Sequence, residues 1–280
     1  MPTFSAPDGA ELAYHVIGEG EPLICLPGGP MQASVYLGEL GGLSKHRQLV
    51  LLDLRGTGDS AIFADVTTYR CDEQVDDVEA LREHLGLDRV DLLGHSAGAN
   101  LAALYIGRYP ERVGKLLLIT PSVFAVGLQV TGDDRLEVTR LRQDEPWFGP
   151  AFEALQQIIA GNATGESWAA IAPFSYGRWD VAAQAHQAAE DGQRNNEAAA
   201  AYAGEGAFDP DSTRTALATF SRPVLVLAGE VDPGAPPRVI AEYAGLFPNA
   251  EFAVQPGAGH MPWLDDPDHF VATVAPFLKD

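Results

Sequence analysis

The chain has 280 residues, 46% of them hydrophobic and 20% charged, and its formal net charge is −21 at pH 7. This length suits one large α/β domain, or one domain carrying an insertion, with ample apolar material for a core. The charge argues against a nucleic-acid partner, because a phosphate-binding surface needs clustered Lys and Arg. It reads as an acidic solvated surface, with an acidic pocket for an amine as the sharper alternative.

Met1 to Ser5 show no basic start followed by an apolar core, so no secretory signal is expected. Leu12 to Ile17 reads as an early strand, and Pro22 to Leu26 as a buried one ending in Pro27-Gly28-Gly29-Pro30. Cys25 and Cys71 are the only cysteines; without CxxC or Cys/His spacing they are expected to be reduced, in a cytoplasmic protein, with no metal site. Gln48 to Asp53 is a further strand, closed by Leu54-Arg55-Gly56-Thr57-Gly58. Asp72 to Leu85 is helical, with Val75, Val78, Leu81 and Leu85 repeating at three and four. Arg89 to Leu93 is a strand, Ala97 to Tyr109 a helix stopped by Pro110, and Lys115 to Thr120 the next strand. The apolar stretch Leu116 to Val130 is broken by Thr120, Pro121, Ser122 and Gly127 and is too short to span a bilayer, so no membrane partner is expected.

The alternation then stops. From Ser122 to Ser221 only helical candidates follow: Asp134 to Gln143, Ala151 to Ala160 and the Ala-rich run Val181 to Ala203. Trp147, Trp168 and Trp179 fall here, with Phe148, Phe152, Phe174 and Tyr176. Strand and helix alternate again from Pro223 to Ala228, through Pro237 to Leu246 and Ala250 to Gln255, to a last helix from Pro267. The pattern predicts an α/β fold, a mostly parallel sheet flanked by helices. Residues 1–121 and 222–280 form its core, and 122–221 form an inserted helical cap.

Gly94-His95-Ser96-Ala97-Gly98 is a Gly-x-Ser-x-Gly sequence. Alone it is weak, since chance supplies roughly 0.1 match in such a chain. Its place between the strand Val90 to Leu93 and the helix from Ala97 is what gives it weight. A serine on that tight turn projects its oxygen above the sheet, ready to act as nucleophile. A hydroxyl needs a base. His95 lies on the turn itself and should point elsewhere, His84 lies at the exposed end of a helix, and His186 lies in the insertion, where a lone histidine is usually a surface residue. His260, in Gly257-Ala258-Gly259-His260-Met261-Pro262, follows the last strand at the carboxyl edge that also carries Ser96. Asp232, in Gly229-Glu230-Val231-Asp232-Pro233, follows another strand at that edge and is the expected acid, with Glu230 as fallback. Backbone donors for a developing oxyanion are expected at Ala97, just after the nucleophile, and at Gly29 in the early loop.

The order Ser96, Asp232, His260, together with these loops, resembles the α/β-hydrolase fold superfamily in its capped esterase and peptidase branch. The resemblance covers nearly the whole chain except the insertion. Gly28-Gly29-Pro30 with Asp53-Leu54-Arg55-Gly56-Thr57-Gly58-Asp59-Ser60 is similar to the proline iminopeptidase group, although that group has His and Gly where this chain has Pro27 and Met31. The resemblance implies attack by Ser96 on an ester, amide, lactone or thioester carbonyl and release of the acyl group by water, with no metal or organic cofactor. It also implies that Asp53 and Arg55 pin the loop beside the site.

Three functions remain open at this level. The first is hydrolysis of a small-molecule ester or lactone, with the aromatic residues of the insertion either lining the pocket or simply packing the cap. The second is removal of an N-terminal proline from a short peptide, the amine held by one of Glu145, Glu153, Glu166, Glu190, Glu197 or Glu205. The third is a non-catalytic binding protein on the same scaffold, which predicts a damaged triad.

Overall fold

Runs of Leu, Val and Ile without polar alternation suit strands covered on both faces, and that is how these runs fold. A computed structural model describes residues 1–279, the side chain of Asp191 excepted. Eight strands form one sheet: β1 (Thr3–Ser5), β2 (Glu11–Ile17), β3 (Pro22–Leu26), β4 (Gln48–Leu52), β5 (Val90–His95), β6 (Val113–Ile119), β7 (Val224–Gly229) and β8 (Ala250–Gln255). Their spatial order is β1-β2-β4-β3-β5-β6-β7-β8. Strand β2 pairs antiparallel with both β1 and β4, and every later pairing is parallel. The sheet is thus mostly parallel, with an antiparallel edge made by a hairpin that the sequence pattern had shown only as one early strand.

Helices α1 (Val75–His84) and α2 (Gly98–Arg108) precede β6. Between β6 and β7 lie α3 (Gly132–Thr139), α4 (Phe148–Ile159), α5 (Gly165–Ala170), α6 (Val181–Gln193), α7 (Asn196–Tyr202) and α8 (Pro210–Thr219). After β7 come α9 (Pro237–Ala244), α10 (Pro262–Asp265) and α11 (Pro267–Leu278). Adjacent strand residues go to opposite cores. Ile24, Leu92, Leu118 and Val226 pack with α1, α2 and α9 residues, whereas Leu23, Leu93, Leu117 and Leu225 pack with Trp263, Phe270 and Val274.

The Ala-rich run is two helices rather than one. Arg194 is extended (φ −102°, ψ 131°), and Asn195 restarts the helix by accepting the Ala198 N–H at 3.1 Å. Helices α5 and α8 lacked a clear periodic signal in the sequence. Within the insertion, Trp147, Phe148, Phe152 and Phe174 pack with one another around Ala151 and Leu155 in a small separate core. Packing, rather than pocket lining, is the role these four rings take. No helix among the described residues is long and apolar enough to cross a membrane.

Candidate active site

Parallel pairing of β3 with β5 aligns Cys25 with Leu93 and Leu26 with Gly94, so the loop after β3 lies against the turn after β5. On that turn Ser96 has φ 51°, a left-handed backbone that is costly for a residue with a side chain. Its N–H donates to Ile119 O at 3.0 Å. A methyl group at Gly98 would stand 2.3 Å from Leu26 O, and one at Gly28 would stand 2.7 Å from Ser96 Cβ. Both glycines are therefore required by close approach of neighbouring chain.

Ser96 Oγ lies 2.8 Å from His260 Nε2, and His260 Nδ1 lies 2.7 Å from Asp232 Oδ2. Asp232 is fully buried, and its second oxygen accepts the Gly234 N–H at 2.7 Å. A carboxylate can only accept, so Nδ1 of His260 carries the proton and Nε2 is free to accept from Ser96. Burial pulls the His260 pKa down, but the charge and hydrogen bond of Asp232 more than reverse this and leave it above the ordinary histidine value. Glu230, the alternative acid, instead accepts the Gly257 N–H at 2.7 Å. The three side chains come from the loops after β5, β7 and β8, all at one edge of the sheet.

His95 is buried and turned away from Ser96. Its Nε2 lies 2.9 Å from His260 O and its Nδ1 lies 2.5 Å from the Tyr36 hydroxyl. A carbonyl accepts only, so Nε2 donates and Nδ1 accepts from Tyr36, which in turn accepts the Gly28 N–H at 2.7 Å. Burial, reinforced by the nearby His260, holds the His95 pKa well below its ordinary value, so the ring stays neutral. Thr120 Oγ1 gives the His260 carbonyl a second donor at 2.9 Å. On the other side of the elbow, the Tyr202 hydroxyl donates to Ala97 O at 2.7 Å. Tyr36, Thr120 and Tyr202 escaped sequence reasoning, because no local motif marks them.

The N–H groups of Gly29 and Ala97 donate to no other protein acceptor among the described residues. The buried Asp53 carboxylate accepts from Ser34 N–H and Oγ at 2.8 and 2.7 Å and from Asp59 N–H at 3.0 Å, joining the segment after the Gly28-Gly29 loop to the 53–60 turn. Arg55 makes a two-pronged bridge of 2.6 Å bonds to Asp77. Both are structural. His15, Asp53 and Asp59 form the one grouping with metal-ligand spacing among the described residues, and the Asp53 oxygens are already committed to the bonds just given.

Of the six insertion glutamates, Glu153, Glu166, Glu197 and Glu205 are exposed and Glu145 bridges Arg142 at 3.1 Å. Glu190 is half-buried, and its charge acts on His260. His186 is half-buried rather than a surface residue: its Nδ1 meets the Tyr176 hydroxyl at 2.9 Å and its ring packs on Tyr36. A cavity of about 610 Å³ opens over Ser96 and His260. Its walls include Val123, Leu128, Val130 and Tyr202.

The alpha/beta hydrolase fold family matches residues 21–267. The chain is similar to a proline iminopeptidase of Heyndrickxia coagulans, with 29% identity over 94% of this chain and 92% of the relative. Among solved structures it is similar to proline iminopeptidase of Mycobacterium smegmatis (26% identity, 99% and 97% of the two chains, TM-score 0.73). It has the same fold as an esterase of Exiguobacterium antarcticum (19% identity, 99% of both chains, TM-score 0.75). With the family matched over most of its length, the chain belongs to the alpha/beta hydrolase fold family.

Proposed function

We propose that the protein is a serine hydrolase that cleaves a small-molecule ester, lactone or amide through an acyl-enzyme, with Ser96 as nucleophile, His260 as general base and acid, and Asp232 as the group that orients His260. The observation that carries this reading is the unbroken hydrogen-bonded line from Ser96 Oγ through His260 to Asp232, at 2.8 and 2.7 Å. In the first step Ser96 Oγ adds to the carbonyl carbon while its proton passes to His260 Nε2. Asp232 stabilises the imidazolium that results. The Gly29 and Ala97 N–H groups, which donate to no protein acceptor among the described residues, take the charge that develops on the carbonyl oxygen. His260 then gives its proton to the leaving group, and the same cycle run with water frees the acid. The inserted helices act as the cap over this chemistry. The unbroken bonds among the three side chains support catalysis over a purely binding role, for which a damaged triad is expected.

A second reading, removal of an N-terminal proline, is favoured by the named relatives. A panel of p-nitrophenyl esters beside proline p-nitroanilide, with Ser96→Ala as control, separates the two. Ester turnover without anilide turnover supports the first reading, and the reverse supports the second. Absence of fluorophosphonate labelling at Ser96 in the folded protein defeats both.

A further inference from the structure

Arginines buried in this fold come with acids. Arg47 meets Asp91 at 2.8 Å, Arg55 meets Asp77 at 2.6 Å, Arg82 meets Glu79 at 2.7 Å and Arg142 meets Glu145 at 3.1 Å. Such pairing is expected, because a desolvated cation without a counter-charge is costly. Arg135 departs from it. It is half-buried and, like the half-buried Arg194, Arg214 and Arg222, bridges to no carboxylate among the described residues, but of these four it alone stands in the wall of the cavity that holds Ser96 and His260. Its Nη1 donates to Pro233 O at 2.9 Å. Burial draws its pKa below the usual arginine value, against the pull of Asp232 and Asp134, yet a guanidinium remains charged at neutral pH. Asp232 is already committed to His260 and Gly234. Among the described residues no carboxylate lines the cavity, and Arg135 is the one permanent charge there.

A chain with net charge −21 has acids to spare, yet none is set against this arginine. The missing counter-charge is then supplied by whatever enters. From this we infer that Arg135 is a specificity residue that binds an anionic group of the substrate, so that the natural substrate is an ester or amide carrying a carboxylate a few bonds from the scissile carbonyl. This rests on the serine-hydrolase reading of Ser96. A guanidinium suits the task because it presents a planar fork of N–H donors to a carboxylate, most of them left free here by the single bond to Pro233. The apolar walls would hold the chain between the two ends and, by excluding water, strengthen the ion pair.

The test uses two matched pairs of esters with the full chain. 4-Nitrophenyl hydrogen glutarate and its neutral methyl ester place the charge on the acyl side. 4-Acetoxybenzoate and 4-acetoxybenzamide place it on the leaving-group side. The expected result is a preference of about tenfold or more in kcat/KM for the anionic member of at least one pair, carried mainly by KM. Arg135→Gln should abolish that preference, with a clearly larger loss in kcat/KM for the anionic ester than for its neutral partner, and Arg135→Lys should keep part of it. Absence of preference in both pairs overturns the proposal. So does an equal loss on charged and neutral esters in Arg135→Gln, which would assign Arg135 to holding Pro233 beside Asp232. Failure of the hydrolase reading looks different: no ester of either pair is turned over and Ser96 takes no fluorophosphonate.

Discussion

The Tyr36 hydroxyl and the His95 Nδ1, 2.5 Å apart, join the Gly28 loop to the strand end that carries Ser96. From Gly28 N–H the chain of bonds runs through Tyr36 and His95 to the carbonyl of His260. It links the loop of the proposed oxyanion donor, the turn of Ser96 and the backbone of the proposed base in one neutral, buried line. Tyr36→Phe keeps the ring and removes the hydroxyl, leaving the Gly28 N–H and His95 Nδ1 without partners. The loss should be about 1–3 kcal/mol of stability, seen as a lower Tm, with kcat falling more than KM changes. An unchanged Tm and kcat would remove Tyr36 from this role.

Ser96→Ala, His260→Ala and the double variant should each lose on the order of 10³-fold or more in kcat, and the double variant little more than either single one, since the two side chains act as a unit. Steady-state rates on a p-nitrophenyl ester measure this. Losses that multiply in the double variant would mean the two residues act independently.

His260 must be neutral to accept the Ser96 proton. Its pKa is raised in the fold, so kcat/KM should climb with pH through a midpoint above the usual value of about 6.5 and then level off. Removing the Asp232 charge takes away what raises the pKa, so Asp232→Asn should move that midpoint to lower pH while cutting the plateau by several orders of magnitude. A midpoint that stays in place would show that another group titrates.

Gly28→Ala would bring a methyl group to 2.7 Å from Ser96 Cβ and 3.0 Å from His95 O. Backbone must move to admit it, so the Gly28-Gly29 loop should shift away from the turn. The expected outcome is a fall of about 10²-fold in kcat, the scale of losing one oxyanion donor. Fluorophosphonate labelling should slow in parallel. Wild-type kcat in this variant would free the loop from the role proposed for it.

Thr131 and Asp134 cap helix α3 reciprocally, and Asp134 also bridges Arg238, which with Thr131 holds its carboxyl pKa at about 2. Thr131→Ala should cost about 1 kcal/mol. Because α3 carries Arg135, any selectivity for charged esters should weaken along with stability, whereas turnover of neutral esters should not. Calorimetry and the paired esters together read this out.

The core was legible because its strands are short unbroken apolar runs punctuated by Gly and Pro, and such runs leave little choice of structure. Gly94 to Gly98 was legible for a related reason: close backbone contacts restrict those flanking positions to glycine, so the constraint shows in the letters. The hairpin of β1 and β2 was less so, since a three-residue strand carries almost no period. Nor could the run from Val181 be divided, because alanine favours helix throughout and the break depends on Asn195 reaching Gly56 O at 2.9 Å. Tyr36, Thr120, Tyr202 and Arg135 do their work across long stretches of chain, and spacing along a sequence holds no record of such meetings. His186 looked like a surface residue for the same reason.

Tyr202 ends α7, and its hydroxyl bond to Ala97 O fastens the insertion to the very turn that presents Ser96. The Cys71 N–H holds the Tyr202 carbonyl at 3.0 Å, and Asn195 grips the 53–60 turn at the other end of the same helix. That end of the insertion is therefore a fixed wall, fixed by bonds that would have to break before it could lift. The α4 and α5 end has a small core of its own that includes Phe174, and the next residue, Ser175, accepts the His260 N–H at 2.8 Å. The insertion is thus pinned at two points, by Tyr202 to the turn of Ser96 and by Ser175 to the backbone of His260, so changes in α4 and α5 should reach the chemical step through Ser175 as well as altering entry and release.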